Sequence, residues 1–135
     1  MYKSFREMPI WGEAMEIAES VFRLTESLPK KEDYGLTSQI RRAALSISAN
    51  IAEAFGRYHI NDKINFYYFS RGSVAETQNH LEYGLRVGYF RQAGVSTIDS
   101  KLNKLYESIN RLIKSLKSQS QSQSQPKPKP GYTKP

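Results

Sequence analysis

Apolar residues recur at helical spacing along four stretches of this chain, and no stretch shows the strict alternation of a strand. In the first, Ile10, Ala14, Ile17, Val21, Leu24 and Leu28 form one stripe, with Glu13, Glu16, Glu19, Arg23 and Glu26 mostly outside it. Pro9 stands where a helix tolerates proline best, in the first turn. The second stretch runs from about Leu36 to Gly56 and the third from about Asp62 to Phe90. In the fourth, Ile98, Leu102, Leu105, Ile109, Leu112 and Leu116 step by four and three in turn, the seam of a bundle helix. Ser96 followed by Asp99 predicts a cap for that helix, just past the turn residues Gln92, Ala93 and Gly94.

Two of these helices carry more apolar surface than one core needs. In the second stretch Ile40, Ala44, Ile47, Ile51 and Phe55 make one face, and Leu45, Ala49, Ala52 and Gly56 make another. A polar stripe of Ser46, Asn50, Glu53 and Arg57 separates them. In the third, Tyr67, Val74, Leu81 and Leu85 form an inner face, with Gly84 and Gly88 admitting close helix approach. Phe69, Gly72, Tyr83, Val87 and Phe90 lie on the far side, with Glu76 and His80 among them. The surplus predicts a homo-oligomer with Leu45, Ala49, Phe69 and Tyr83 at the subunit interface, where aromatic residues are enriched.

The connections around Pro29–Gly35 and Arg57–Asn61 are short for helices of this length. Short loops join antiparallel neighbours, so residues 1–117 are expected to form an all-α, up-down four-helix bundle. From Ser118 the chain alternates Ser with Gln and then Pro with Lys, too polar to repay ordering, which predicts a disordered tail over 118–135.

Composition sharpens this only in part. The 135 residues hold no cysteine, so disulfides and thiolate metal sites are excluded. No run is long and apolar enough to span a membrane, and the start of the chain lacks the apolar core of a secretion signal, so the expected location is the cytoplasm. The formal net charge is +7; Lys127, Lys129 and Lys134 supply +3 of it, which leaves +4 on the bundle. A basic bundle favours anionic partners such as RNA.

Five cations are candidates for phosphate contact: Arg41, Arg42, Arg57, Lys63 and Arg71, joined by Arg86 and Arg91 at the edge of such a patch. Repetition of these residues in an oligomer multiplies a weak field; paired with nearby acids, they are ordinary solvated side chains. Ser46, Asn50 and Glu53, with Glu76 as a partner for Arg42 or Arg57, read first as a hydrogen-bonded seam between helices or subunits. A binding surface for phosphate is the second reading of the same stripe.

Catalytic patterns are missing. Glu76 and His80 occur once and do not form the paired Glu-x-x-His of a bundle metal site. The Arg-to-His spacing of small helical toxin ribonucleases is not met either, since Arg71 precedes His80 by nine positions and Arg57 precedes His59 by two. No cofactor, metal or small-molecule substrate is expected, and the chain is read as a non-enzyme.

The run QIRRAALSISANIAEAFGR at 39–57, RGSVAE at 71–76 and LRVGYF at 85–90 resemble the four-helix-bundle family of proteins encoded by intervening sequences in large-subunit ribosomal RNA genes. They are also similar to the accessory variability proteins of diversity-generating retroelements. Ala54 departs from the glycine usual after Asn-Ile-Ala-Glu in that motif. The resemblance implies a homopentamer without established enzymatic activity. In the retroelement branch it implies a basic scaffold for a reverse transcriptase and nucleic acid. The functional expectation is therefore a non-enzymatic scaffold that binds RNA or a ribonucleoprotein. An adaptor for an acidic protein is the alternative, and a small ribonuclease the disfavoured third.

Overall fold

The computed structural model describes residues 1–124, and within them the fold is all-α with no strand. Four helices, α1 (Pro9–Thr25), α2 (Leu36–Gly56), α3 (Ile60–Arg86) and α4 (Gln92–Ser124), follow one another in sequence. A single 3-10 turn precedes α1 at Phe5–Glu7, and another lies between α1 and α2 at Lys30–Glu32. Each helix packs on the two that flank it, with α1 closing the ring against α4.

Hydrogen bonds give the register. Lys63 reaches Ala54, Ser70 reaches Ile47 and Ser73 reaches Ser46, so α3 runs antiparallel to α2. Gln78 reaches Asp99, Arg71 reaches Asn110 and Ser120 reaches Asn61, so α4 runs antiparallel to α3. The first helix begins as expected, with Pro9 in its opening position. It ends at Thr25, short of Leu28.

The core is the predicted one on α1 and on the inner face of α2. Ala14, Ile17 and Val21 are buried against Ile40, Ala44, Ile47 and Ile51. On α3 the buried row is Ile64, Tyr67, Val74 and Leu81, interleaved with Ser70 and Thr77. Those polar side chains are satisfied by backbone carbonyls: Ser70 donates to Ile47 at 2.9 Å and Thr77 to Ser73 at 2.8 Å. Burial pushes the Tyr67 phenol up to about 12, because the phenolate has no water to stabilise it.

Four sequence expectations are corrected. Helix α3 ends at Arg86, and Phe90 is buried in the core instead of facing outward. The cause is local: Gly88 adopts φ +87, Gly88 N–H donates to Leu85 and Tyr89 N–H to Gly84, a Schellman closure. Gln92, Ala93 and Gly94 are the first turn of α4, so Ser96 and Asp99 are not its cap; Ser96 accepts from Gln92 and Asp99 from Gln78. Ile113 is buried where Leu112 was expected, and Leu112 is only partly buried. An α-helix drifts against a strict seven-residue repeat, so the seam steps from Ile109 to Ile113.

The fourth correction concerns the tail. Residues 118–124 continue α4 instead of leaving it. In the antiparallel register the N-terminal end of α3 lies opposite Ser120, and the Ser120–Asn61 bond of 3.2 Å fixes that end. The remaining tail, 125–135, lies outside the described residues.

Candidate functional site

The polar stripe of α2 makes hydrogen bonds along and across the α2–α3 groove. Asn50 donates to the Ser46 carbonyl at 2.8 Å and to its hydroxyl at 2.9 Å, and the Ser73 hydroxyl on α3 donates to Ser46 at 2.9 Å. Glu53, one turn back on the same helix, binds Arg57 at 2.7 Å and takes the place expected for Glu76. Only the Ser73–Ser46 bond crosses from α3 to α2; Asn50 bonds within its own helix. Glu76 takes no part in these bonds. Beside Ser46 the groove opens into a cleft of about 330 Å³ lined by Gln39, Arg42, Ala43 and Glu76. Arg42 and Glu76 face this cleft without forming an ion pair.

The side chains expected at a subunit interface all lie outside the core. Leu45 is 53% exposed, Phe69 52% and Tyr83 51%, and Ala49 is exposed beside Leu45. They sit on the outer faces of α2 and α3, on either side of the polar groove. Val87 is also exposed just past the end of α3, and Phe22 is exposed on α1.

The five candidate cations do not gather into one patch. Arg41 Nε donates to the Thr25 hydroxyl at 2.8 Å and its Nη2 to the Phe22 carbonyl at 3.3 Å, with its guanidinium 4.2 Å from the Phe22 ring. It ties α2 to the C-terminal turn of α1, where carbonyls lack helix partners. Lys63 does the same for α2, donating to Ala54 and Phe55 at 3.1 Å each. Partial burial draws its ammonium pKa below the ordinary lysine value. Arg57 pairs with Glu53 and lies 4.7 Å over the Phe66 ring. Arg71 is on another side of the bundle, donating to Asn110 on α4 at 2.9 Å. Arg42 alone among the five makes no hydrogen bond, ion pair or ring contact within the described residues, and its side chain is exposed.

Charge is distributed unevenly over the helices. Helix α1 carries Glu13, Glu16 and Glu19 against Arg23, with Glu26 at its C-cap, while α4 carries Lys101, Lys104, Arg111, Lys114 and Lys117 against Asp99 and Glu107. Where α1 meets α4 the two signs interleave: Glu13, Glu16 and Glu107 share a groove with Lys101, Lys104 and Arg111. Lys114 and Lys117 form no ion pair among the described residues, and Lys117 turns to Tyr68 on α3. These lysines were absent from the sequence-based set. Their spacing from Asn110, four and then three, places them on one stripe, a signal available from the sequence.

Among the described residues the fold is an antiparallel four-helix bundle. The family model described as 23S rRNA-intervening sequence protein matches residues 6–115, and the chain belongs to that family. A crystal structure of a protein of unknown function from the S23 ribosomal protein family of Bacteroides thetaiotaomicron superposes with a TM-score of 0.70 at 22% identity. The match covers 78% of this chain and 98% of that one, a likeness in fold. No curated protein matches the chain. Among the described residues no helix is long and apolar enough to cross a membrane.

Proposed function

We propose that this protein is a non-enzymatic, self-assembling RNA-binding scaffold of the cytoplasm, a homopentamer in the form its family resemblance implies. The observation that carries the proposal is the division of the surface. Apolar side chains are left exposed on α2 and α3, while Lys114 and Lys117 on α4 make no ion pair among the described residues. The first side supports self-association. Leu45 and Ala49 of one copy meet the Phe69 and Tyr83 face of the next, and Arg42 and Glu76 of the intervening cleft acquire partners there. The second side supports a polyanionic ligand, repeated once per subunit so that weak contacts add as avidity.

RNA is favoured over an acidic protein because the matched family is described by a ribosomal RNA intervening sequence. A reverse transcriptase or other ribonucleoprotein is the natural setting for such a scaffold. Among the five cations proposed from sequence, Arg71 retains donors for phosphate and Arg42 belongs to the subunit contact, whereas Arg41, Arg57 and Lys63 act first as internal ties. Titration of a labelled RNA at rising salt tests the reading. Affinity is expected to fall steeply and log-linearly with salt, as phosphate contacts require. Absence of RNA binding at low salt contradicts it, and capture of one defined protein that survives nuclease treatment turns it to the adaptor reading.

A further inference from the structure

The α3–α4 edge holds a cluster of cations set on two rings, Tyr68 and Tyr106, that pack against the core and stay partly exposed. Arg71 lies with its guanidinium carbon 4.8 Å from the Tyr68 ring and 5.9 Å from the Tyr106 ring, while Nη1 donates to Asn110 at 2.9 Å. Lys117 places its ammonium 5.3 Å from the same Tyr68 ring. Lys114 belongs to the α4 stripe that connects Asn110 to Lys117. Neither ion pair of the described residues, Arg57–Glu53 or Arg86–Glu82, involves these cations. The Tyr68 and Tyr106 hydroxyls make no hydrogen bond, and both rings are partly exposed.

We propose that Tyr68, Arg71, Tyr106, Lys114 and Lys117 form a binding strip for single-stranded RNA. The proposal rests on the RNA-binding reading above and assigns it a place and a mode. Arg71 is held by two rings and an amide, so its remaining N–H groups are oriented before any ligand arrives. A pre-organised guanidinium loses little freedom on binding phosphate, and its plane is also a surface on which a base stacks. Lys114 and Lys117 are exposed, flexible point charges suited to a moving backbone. Displacement of Lys117 from Tyr68 by a phosphate frees a ring face for a base.

The geometry favours an unpaired strand over a duplex. From Asn110 to Lys117 the strip covers ~10 Å of helix axis. Duplex RNA is read by contacts spread over successive grooves, whereas short aromatic and guanidinium surfaces suit splayed bases. Arg71 stands two positions from Phe69, on nearly the opposite side of α3, so self-association through Phe69 leaves it open. In a ring each copy presents one strip, and a long strand can pass from one to the next.

The test is fluorescence anisotropy of a labelled, mixed-sequence single-stranded RNA with the full chain, against a duplex of equal length and against polyglutamate. Lys114→Gln/Lys117→Gln is expected to weaken single-strand binding by about tenfold or more and to flatten the salt slope by roughly two phosphate contacts. Tyr68→Leu/Tyr106→Leu leaves the charge intact and is expected to cost about tenfold through lost stacking with the salt slope retained. Lys104→Glu, on the α1 side of α4, is the control and is expected to change affinity by less than about threefold. Circular dichroism confirms folding, and the lysine pair tests the strip even if the tyrosine pair unfolds.

Binding that persists in both double variants overturns the strip while leaving the RNA reading in place. Tighter binding of duplex than of single strand overturns the mode. Equal binding of polyglutamate overturns RNA selectivity in favour of an acidic protein partner. Failure of the unaltered chain to bind RNA at low salt removes the strip and the RNA reading together.

Discussion

Gly84→Ala should destabilise the bundle although alanine is the better helix former. A Cβ built on Gly84 lies 2.2 Å from Phe90 Cε2 and 2.3 Å from Cδ2. Carbon atoms in contact sit about 3.5–4.0 Å apart, so the ring must move by more than ~1 Å. It has little room to do so. Phe90 is buried, and its N–H and that of Tyr89 both donate to the Gly84 carbonyl, at 3.2 and 2.8 Å. So close an approach belongs to the upper part of the overpacking range, about 2–3 kcal/mol, from which the helix-propensity gain of ~1 kcal/mol that accompanies Gly→Ala is subtracted.

The net loss expected is about 1–2 kcal/mol, a fall in Tm of roughly 4–8 °C for a domain of this size. Thermal unfolding followed by circular dichroism, at one fixed protein concentration, measures it. Gly12→Ala is the contrast, since nothing lies within 4 Å of its Cβ, and it should leave Tm unchanged or raise it. Phe90→Leu in the Gly84→Ala background should recover part of the loss, with a coupling energy of about 1 kcal/mol in the double-mutant cycle. A Gly84→Ala variant as stable as the parent, or a loss additive with Phe90→Leu, refutes the reasoning.

Three further outcomes follow from individual contacts. Lys63→Met removes two donors from the last turn of α2 and should cost about 1 kcal/mol by chemical denaturation, with Asp62→Asn on the neighbouring position costing less. The partly buried Glu32 carboxylate accepts from Leu36 N–H at 3.1 Å and from Tyr89 O–H at 2.8 Å; these bonds lower the Glu32 pKa and raise that of Tyr89. Glu32 therefore adds stability above its ordinary value of 4.5 that is lost as pH falls through its lowered folded value. Tyr89 adds stability below 10.0 that is lost as pH rises through its raised value, so Tyr89→Phe should weaken the dependence at both ends in a Tm-against-pH series. Thr37 Oγ1 is the one buried side-chain polar atom of the described residues without a partner, and Thr37→Val should leave Tm unchanged or raise it.

How far the chain was legible differs between helices. The inner stripe of α2, the outward Leu45 and the Arg57–Glu53 and Arg86–Glu82 pairs all follow from spacing along one helix. The end of α3 did not, because aromatic periodicity continues through Phe90 while a positive φ at Gly88 turns the backbone. The helical extension of α4 depends on the length of α3 opposite it, which no local composition reports. Cation type was readable and cation employment was not. Arg41 finds its acceptors sixteen and nineteen residues away, and Arg71 finds Asn110 thirty-nine away. The lysines of the α4 stripe are visible in sequence, but Tyr68 comes beside them only through the antiparallel register.

The central claim is that the outer faces of α2 and α3 are made to meet other copies of the chain. Light scattering of the full protein at micromolar concentration tests it most directly. The account predicts a particle several times the 15.5 kDa protomer, about 78 kDa for five copies, that Leu45→Asp/Phe69→Asp reduces to the protomer mass with helicity retained. A monomer of 15.5 kDa for the unaltered chain contradicts it.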